Sequence, residues 1–320
     1  FKNIIINGDM SVAQRATSTS SITSDNAYYS LDRYRTRLTT LGTWTQSQST
    51  TVPSGQGFAT SLKMDCTTAD ASPASGDRLF ITQKIEGQNL QYLKKGTSNA
   101  QSLTLSFWVR SNKTGIYICE LYDQNNSRHI NKSYTISNSN TWEKKTITYA
   151  GDTSGAFDND NGTSLECAWW LGAGSTYSSG TLQTSWGSAV NANRAVGQVN
   201  LADSTSNEWY VTGLQLEAGT SASDFEFLPF DVNLQRCQRY FFQFLAQKYM
   251  YAINSGNTYS RYTVSFPVQM RTTPTTTVAY SNNGTGHGVQ FENANDVTLF
   301  VNGRGSSETQ INSGSFVAEI

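Results

Sequence analysis

Residues 208–239 read EWYVTGLQLEAGTSASDFEFLPFDVNLQRCQR, and the change of character inside this stretch decides the fold. Trp209–Leu216 is a strand-like run, Gly219 marks a turn, Phe225–Leu228 is a second short extended run, and DVNLQRCQR has the composition of a helical turn that Asp231 can N-cap. Before it the chain reads as one large β-sandwich that the run at 209–216 completes. After it the chain reads as a smaller β domain rich in aromatic residues. The fold class expected is therefore all-β: a jelly-roll β-sandwich over residues 1–230, then a small C-terminal antiparallel β domain over 231–320.

Working outward, the strongest strand signals are SLTLSFWVRS (Ser102–Ser111) and IYICELY (Ile116–Tyr122). In the first, Leu103, Leu105, Phe107 and Val109 share one face, while Thr104, Ser106, Trp108 and Arg110 share the other. Lys113-Thr114-Gly115 between them reads as a hairpin loop. Cys167–Leu171, CAWWL, is a continuous apolar run expected at the centre of a sheet. NIIINGDM (Asn3–Met10) reads as a strand closed by an Asn-Gly turn, and Ser11–Ser24 as irregular. Roughly a dozen such runs, no long helical pattern and no internal repeat point to a sandwich rather than a propeller or β-helix. Tyr177–Val199 is a Gly/Ser/Asn-rich insert longer than a compact domain needs, hence functional or mobile.

Composition narrows the role. The 320 residues carry a net charge of -1 and only 15% charged residues, against about 25% in ordinary domains. That balance excludes a phosphate-neutralising surface for nucleic acid and a polybasic membrane contact, and no run is long enough for a membrane helix. The four cysteines, at 66, 119, 167 and 237, have no CxxC spacing and read as reduced structural thiols. Phe1-Lys2-Asn3 reads as the start of a fragment or processed chain.

NIIINGDMSVAQR, IEGQNLQYL, LTLSFWVRSNKTG, TWEKKTITYAGDTSG, TGLQLEAG and FEFLPFDVNLQRCQRYF, taken in order, resemble the C-terminal region of bacteriophage tail-fibre and other virion fibre proteins over about residues 1–245. The resemblance implies a carbohydrate-binding-module-like jelly roll, closed by the first segment pairing with the G-x-Q-L-E strand. It also implies a homotrimeric structural or receptor-contacting protein on the exterior of a phage particle. Its expected partners are other virion proteins, reached through a region before Phe1, and host cell-surface polysaccharide. Related carbohydrate-binding modules hold a structural calcium between an acidic residue after the first Asn-Gly and an Asp of the closing strand. Here Asp9 supplies the first carboxylate, but Thr212 stands where the Asp is expected, and a hydroxyl is a poor ligand for a hard cation.

Sugar recognition sets flat aromatic faces against a pyranose ring, with polar groups at the rim. Most of the seven tryptophans are expected in the core. Trp186 in the insert is the leading candidate for glycan contact, followed by Tyr177. Trp170 is a third, because strand neighbours Trp169 and Trp170 face opposite ways. Asp158-Asn159-Asp160-Asn161-Gly162 resembles a calcium loop without the closing glutamate; Asp158 and Asp160, with Asp9, are the candidate metal ligands, and no other cofactor is expected. Only His129 and His287 are present, in no triad or metal motif. Pairs such as Glu120 and Asp123 are too easily found to indicate glycoside hydrolysis. A non-enzymatic protein is therefore expected. A decoration protein without glycan affinity and a polysaccharide-degrading tail spike are the alternatives. Finally, the rings at 240–266, among them Tyr240, Phe242, Tyr249 and Tyr259, exceed what one small sheet covers, which favours burial in a closed oligomer.

Overall fold

A computed structural model of the chain describes residues 1–24, 27–244, 248–251, 259–281, 287–302 and 308–320. They form two compact units, Phe1–Leu228 and Pro229–Ile320.

The first unit contains β1 (Ser18–Ile22), β2 (Ala27–Tyr28), β3 (Arg35–Thr39), β4 (Thr43–Ser49), β5 (Ser61–Thr68), β6 (Arg78–Glu86), β7 (Leu103–Ser111), β8 (Gly115–Asp123), β9 (Arg128–Ile136), β10 (Glu143–Tyr149), β11 (Thr163–Ala173), the single turn α1 (Ser175–Ser178), β12 (Gly187–Ser188) and β13 (Glu208–Ala218). They build two antiparallel sheets, one ordered β1-β4-β5-β13-β7-β10, the other β12-β9-β8-β11-β6-β3-β2. The alternation seen in the sequence places Leu62, Met64, Leu105, Phe107 and Val211 of the first sheet against Ile81, Tyr117, Cys119, Leu121 and Trp169 of the second in one buried core. The all-β jelly-roll sandwich is thus the observed fold. CAWWL lies in β11, central in its sheet between β8 and β6.

Three sequence expectations are corrected. First, β7 and β8 do not pair: they lie in opposite sheets, so residues 112–114 form an arch rather than a hairpin. The reason is that both strands are apolar enough to line the core from opposite layers. The arch is tied by the Tyr117 hydroxyl, which donates to the Lys113 carbonyl at 2.8 Å. Second, Asn3–Met10 runs beside the closing strand but is not itself a regular strand. Asn7 and Met10 both have φ of 61°. The Asn3 amide imitates a peptide group, donating to Leu214 O at 3.0 Å and accepting from Leu216 N–H at 3.1 Å. Gly8 is required here, because a Cβ would sit 2.2 Å from Leu214 O. Third, β1 is a strand where irregular chain is expected.

The insert after β11 packs over the outer face of the second sheet. It closes a second small core of Phe80, Ile118, Ala168, Trp170 and Ala195.

The second unit opens with α2 (Phe230–Gln238), preceded by Pro229; Asp231 lies in its first turn and makes no cap. It continues through β14 (Phe241–Phe244), β15 (Lys248–Tyr251), β16 (Tyr259–Ser265), β17 (Thr275–Ser281), β18 (His287–Glu292), β19 (Asp296–Asn302) and β20 (Glu308–Val317). β20 pairs with β14, β15 and β17, and β19 lies between β16 and β18. Phe242, Phe266 and Phe316 cluster with centroids 4.9–6.0 Å apart in the unit's own core. The side chains of Tyr249, Tyr251 and Tyr259, and the expected turn at 283–284, lie outside the described residues.

Candidate glycan-binding face

The outer face of the β1–β10 sheet carries the residues opposite the core in the same alternation. Trp108 of β7 stands across from Thr212 of β13 and Lys144 of β10. Beyond β13 the chain turns back over this face as Asp224-Phe225-Glu226-Phe227. Within it the Phe227 N–H donates to the Phe225 carbonyl at 3.1 Å, a tight turn, and the two rings face the same neighbour. They meet Phe58 with centroids 5.1 Å apart in each case, and each other at 4.8 Å. Gly213, at φ 64°, is what admits Phe58: a Cβ there would lie 2.6 Å from the ring.

The result is a surface pocket of about 320 Å3, lined by Trp108, Phe58, Phe225 and Phe227, with Gln56, Asp224 and Lys144 among its polar groups. Phe227 is 51% exposed at the mouth of this pocket. Aromatic walls with polar groups of both charges around them can stack on a sugar face and hydrogen-bond its hydroxyls.

The sequence candidates lie elsewhere. Trp170 is fully buried. The opposite-face argument for Trp169 and Trp170 holds, but the insert covers the second face, so Trp170 offers no ring to a ligand as the protein stands. Tyr177, on the insert, packs against Trp170 with centroids 5.5 Å apart, and its hydroxyl accepts from Arg78 at 3.1 Å. Trp186 is half-buried. Its indole N–H donates to Ala150 O at 2.8 Å, and the Lys95 ammonium lies 5.5 Å from its ring centre. Thus Tyr177 and Trp170 are brought together, in packing, while Trp186 sits apart at another cluster.

Both of those clusters are built from charge. Under the insert, Arg194 makes two 2.7 Å bonds to the fully buried Glu120, which also accepts from the Trp170 indole at 3.2 Å and meets His129 Nδ1 at 3.1 Å. Burial pushes the Glu120 carboxyl up, but Arg194 and His129 outweigh it and hold it at about 2. The same guanidinium lies 5.2–6.0 Å from the rings of Trp170, Tyr122, Phe80 and Tyr177. Near Trp186, the Lys95 ammonium contacts Asp123 at 2.5 Å, Asp152 at 3.1 Å and the carbonyls of Ser154 and Gly155 at 2.9 and 2.6 Å. The Glu120–Asp123 pair named from the sequence is therefore divided between two ion clusters.

The candidate calcium ligands do not fit the ion. The Asp9 carboxylate is turned onto Ser11. The Thr212 hydroxyl donates to the Thr60 carbonyl at 2.8 Å, so the closing strand presents no carboxylate. Asp158 is bonded to the Asn125 amide at 2.6 Å, and Asp160 accepts from Gly162 N–H at 2.8 Å, closing its own turn. Among the described residues no three acidic, His or Cys side chains converge as a metal site.

The sequence reading missed the pocket because it took Phe225–Leu228 only as a short extended run and did not place it over Trp108; Phe58, 8% exposed, forms the buried floor on which the two rings rest. The pattern Asp-Phe-Glu-Phe just past a strand end, paired with Trp108 on the polar side of β7, is the signal that points to it.

No family model matches the chain, and no curated protein matches it. Among solved structures it is similar to the enzymatically active domain of tailspike protein 4 of bacteriophage CBA120, at 14% identity and a TM-score of 0.36 over 68% of this chain and 21% of that one. A family 4 carbohydrate-binding module is similar at 11% identity and 0.33, over 66% and 97% of the two chains. A family 11 carbohydrate-binding module from Clostridium thermocellum, solved with a β-1,3-1,4-mixed-linked tetrasaccharide, is similar at 12% and 0.29, over 65% and 99%. The chain spans about a fifth of the length of the tailspike domain it matches.

Proposed function

We propose that the sandwich unit binds glycan in the Trp108–Phe227 pocket, and that the chain is a non-enzymatic part of a phage tail fibre or similar virion appendage that touches host-surface polysaccharide. The observation that carries the glycan reading is the pocket itself: an exposed Phe227 with half-buried Trp108 and Phe225 over a buried Phe58 that Gly213 admits to the sheet, with Asp224, Gln56 and Lys144 among its lining. The ordered set of fibre-like motifs supports the virion placement. A homotrimer is part of the proposal, supported by Phe291, 65% exposed, and Val289, 38% exposed, on β18 at a sheet edge.

The test is incubation of the protein with surface polysaccharide of candidate hosts, comparing the wild type with Trp108→Ala. Retention of intact polysaccharide by the wild type and its loss in the variant is the expected result. Retention unchanged in the variant overturns this pocket. Shortened chains point instead to a degrading tail spike, and no retention to a decoration protein. Light scattering should give three times 35.2 kDa; a monomer overturns the trimer.

A further inference from the structure

The outer face of the β1–β10 sheet does not end at the pocket. Trp142, immediately before β10, is half-exposed, and its ring meets Tyr210 edge-on with centroids 6.2 Å apart. Tyr210 is itself held between two cations, Arg110 at 4.9 Å and Lys63 at 5.5 Å from its ring centre. Lys144 lies two residues beyond Trp142 along β10 and lines the pocket, so Trp142 stands about 7 Å further along the same strand face. Trp142 thus adds a second half-exposed ring to this face, backed by the buried Tyr210 ring.

The charges on this stretch are spent on one another. Lys63 bridges Glu208 at 2.9 Å and Asp65 at 3.3 Å, and Arg110 reaches Glu208 at 3.4 Å. The Tyr210 hydroxyl donates to Glu208 at 2.8 Å. What remains around the pocket is Lys144 and Asp224, of opposite sign. With its cations paired in this way, the face offers a uronate- or phosphate-bearing chain no net attraction.

We infer that the ligand is an internal stretch of an uncharged polysaccharide, several sugar rings long, lying from the Phe225–Phe227 pocket across Trp108 to Trp142. This rests on the glycan reading of the pocket and adds the extent and charge class of its ligand.

The experiment immobilises a panel of neutral polysaccharides (β-glucans, galactans, mannans) and uronate-containing ones (alginate, polygalacturonate), measures retention of the full chain, and repeats the measurement with a one-to-six-ring size series cut from each binder. Affinity should rise from the one-ring to the six-ring member and stay level between 50 and 500 mM salt. Trp142→Ala should weaken the six-ring ligand about tenfold and leave the two-ring ligand unchanged, while Trp142→Phe keeps most of the gain. Equal affinity for one and six rings, retention of only the uronate polymers, or a Trp142→Ala loss equal at all lengths overturns the inference while leaving the pocket standing. No retention of any member overturns the glycan reading, and this inference with it. A shared thermal midpoint for wild type and both variants guards against misfolding.

Discussion

Arg194→Ala is the sharpest probe of how the insert is held. The guanidinium side chain is 12% exposed and its partner Glu120 not at all. Removing it leaves a buried carboxylate with only the Trp170 indole and His129 for company. Removing one partner of a buried pair costs about 3–5 kcal/mol; with two polar contacts left, about 3 kcal/mol is expected. That is roughly a hundredfold in the opening equilibrium of residues 174–200. The pH dependence checks the cause independently. In the wild type Glu120 moves from an ordinary 4.5 to about 2 on folding. Its contribution, on the order of 3 kcal/mol, is present above pH 4.5 and is lost as pH falls towards 2. In Arg194→Ala the surviving burial raises the carboxyl, so a proton taken up by Glu120 stabilises the closed insert, and stability rises as pH is lowered from 7 to 5. Because the insert can open while the sheets beneath it stay folded, a global melt is a poor readout of this one step. Amide hydrogen exchange of the insert, corrected for intrinsic rate, measures the opening directly. Protection within tenfold of wild type, or protection that falls between pH 7 and 5, refutes the reasoning. Adding Glu120→Gln to Arg194→Ala should recover part of the loss.

Three further outcomes follow from the same geometry. Trp186→Ala should lower the thermal midpoint by a few degrees and leave glycan retention intact, since its ring covers the Lys95 cluster; lost retention at unchanged stability would restore Trp186 as a contact residue. Lys95→Met leaves Asp152 its pair with Arg128 at 2.8 Å but takes the ammonium from the buried Asp123, and should cost about 3 kcal/mol in urea unfolding; a cost below 1 kcal/mol contradicts the cluster. Gly213→Ala forces a side chain into positive φ and against Phe58, and should cost about 1–3 kcal/mol while abolishing retention; retention at wild-type affinity would show that the pocket tolerates a shifted Phe58.

The layers of the sandwich were legible because burial imposes a two-residue period: β7, β8, β11 and β13 stand out by alternation or by a continuous apolar run. β1, reading STSSI, carries one apolar side chain in five and gives no such signal. The connection at 112–114 was misread because a three-residue loop with a glycine serves a hairpin and an arch equally. Only the sharing of one core by both strands decides, and that is a property of the layers, not of the loop. Trp170 shows the same limit. Strand geometry tells that it faces away from Trp169, but not that Arg194, some two dozen residues later, brings an insert down on top of it. The pocket depends on Phe225 and Phe227 returning over β7 and β13, a contact across more than a hundred residues; the local Asp-Phe-Glu-Phe pattern marks the pair of rings but not where they land.

The seam between Asn3 and the closing strand shows why the sandwich is closed by a side chain rather than by another strand. β5 pairs with β13 only at residues 208–211 of the latter, which leaves Leu214 and Leu216 facing the N-terminal segment. There Ile4 N–H donates to Leu216 O at 2.8 Å and Leu214 N–H to Gly8 O at 2.9 Å, and the Asn3 amide fills the gap between these two bonds. Its carbonyl also accepts from Ile5 N–H at 3.0 Å. Asn3→Asp keeps the shape and the acceptor but loses the donor, setting a carboxylate oxygen against the Leu214 carbonyl at a buried site. Asn3→Leu loses both and orphans two groups of β13, each costing about 1–3 kcal/mol. Asn3→Asp should therefore be destabilised at neutral pH and improve on acidification, because the protonated carboxyl can donate again, whereas Asn3→Leu should show the larger loss and no such recovery. Chemical denaturation followed by tryptophan fluorescence at pH 7 and pH 4.5, referenced to wild type, separates the two. If Asn3→Asp proves no weaker at pH 7 than at pH 4.5, the amide is not acting as the missing peptide, and the closure of the sandwich rests on Ile4 and Gly8 alone.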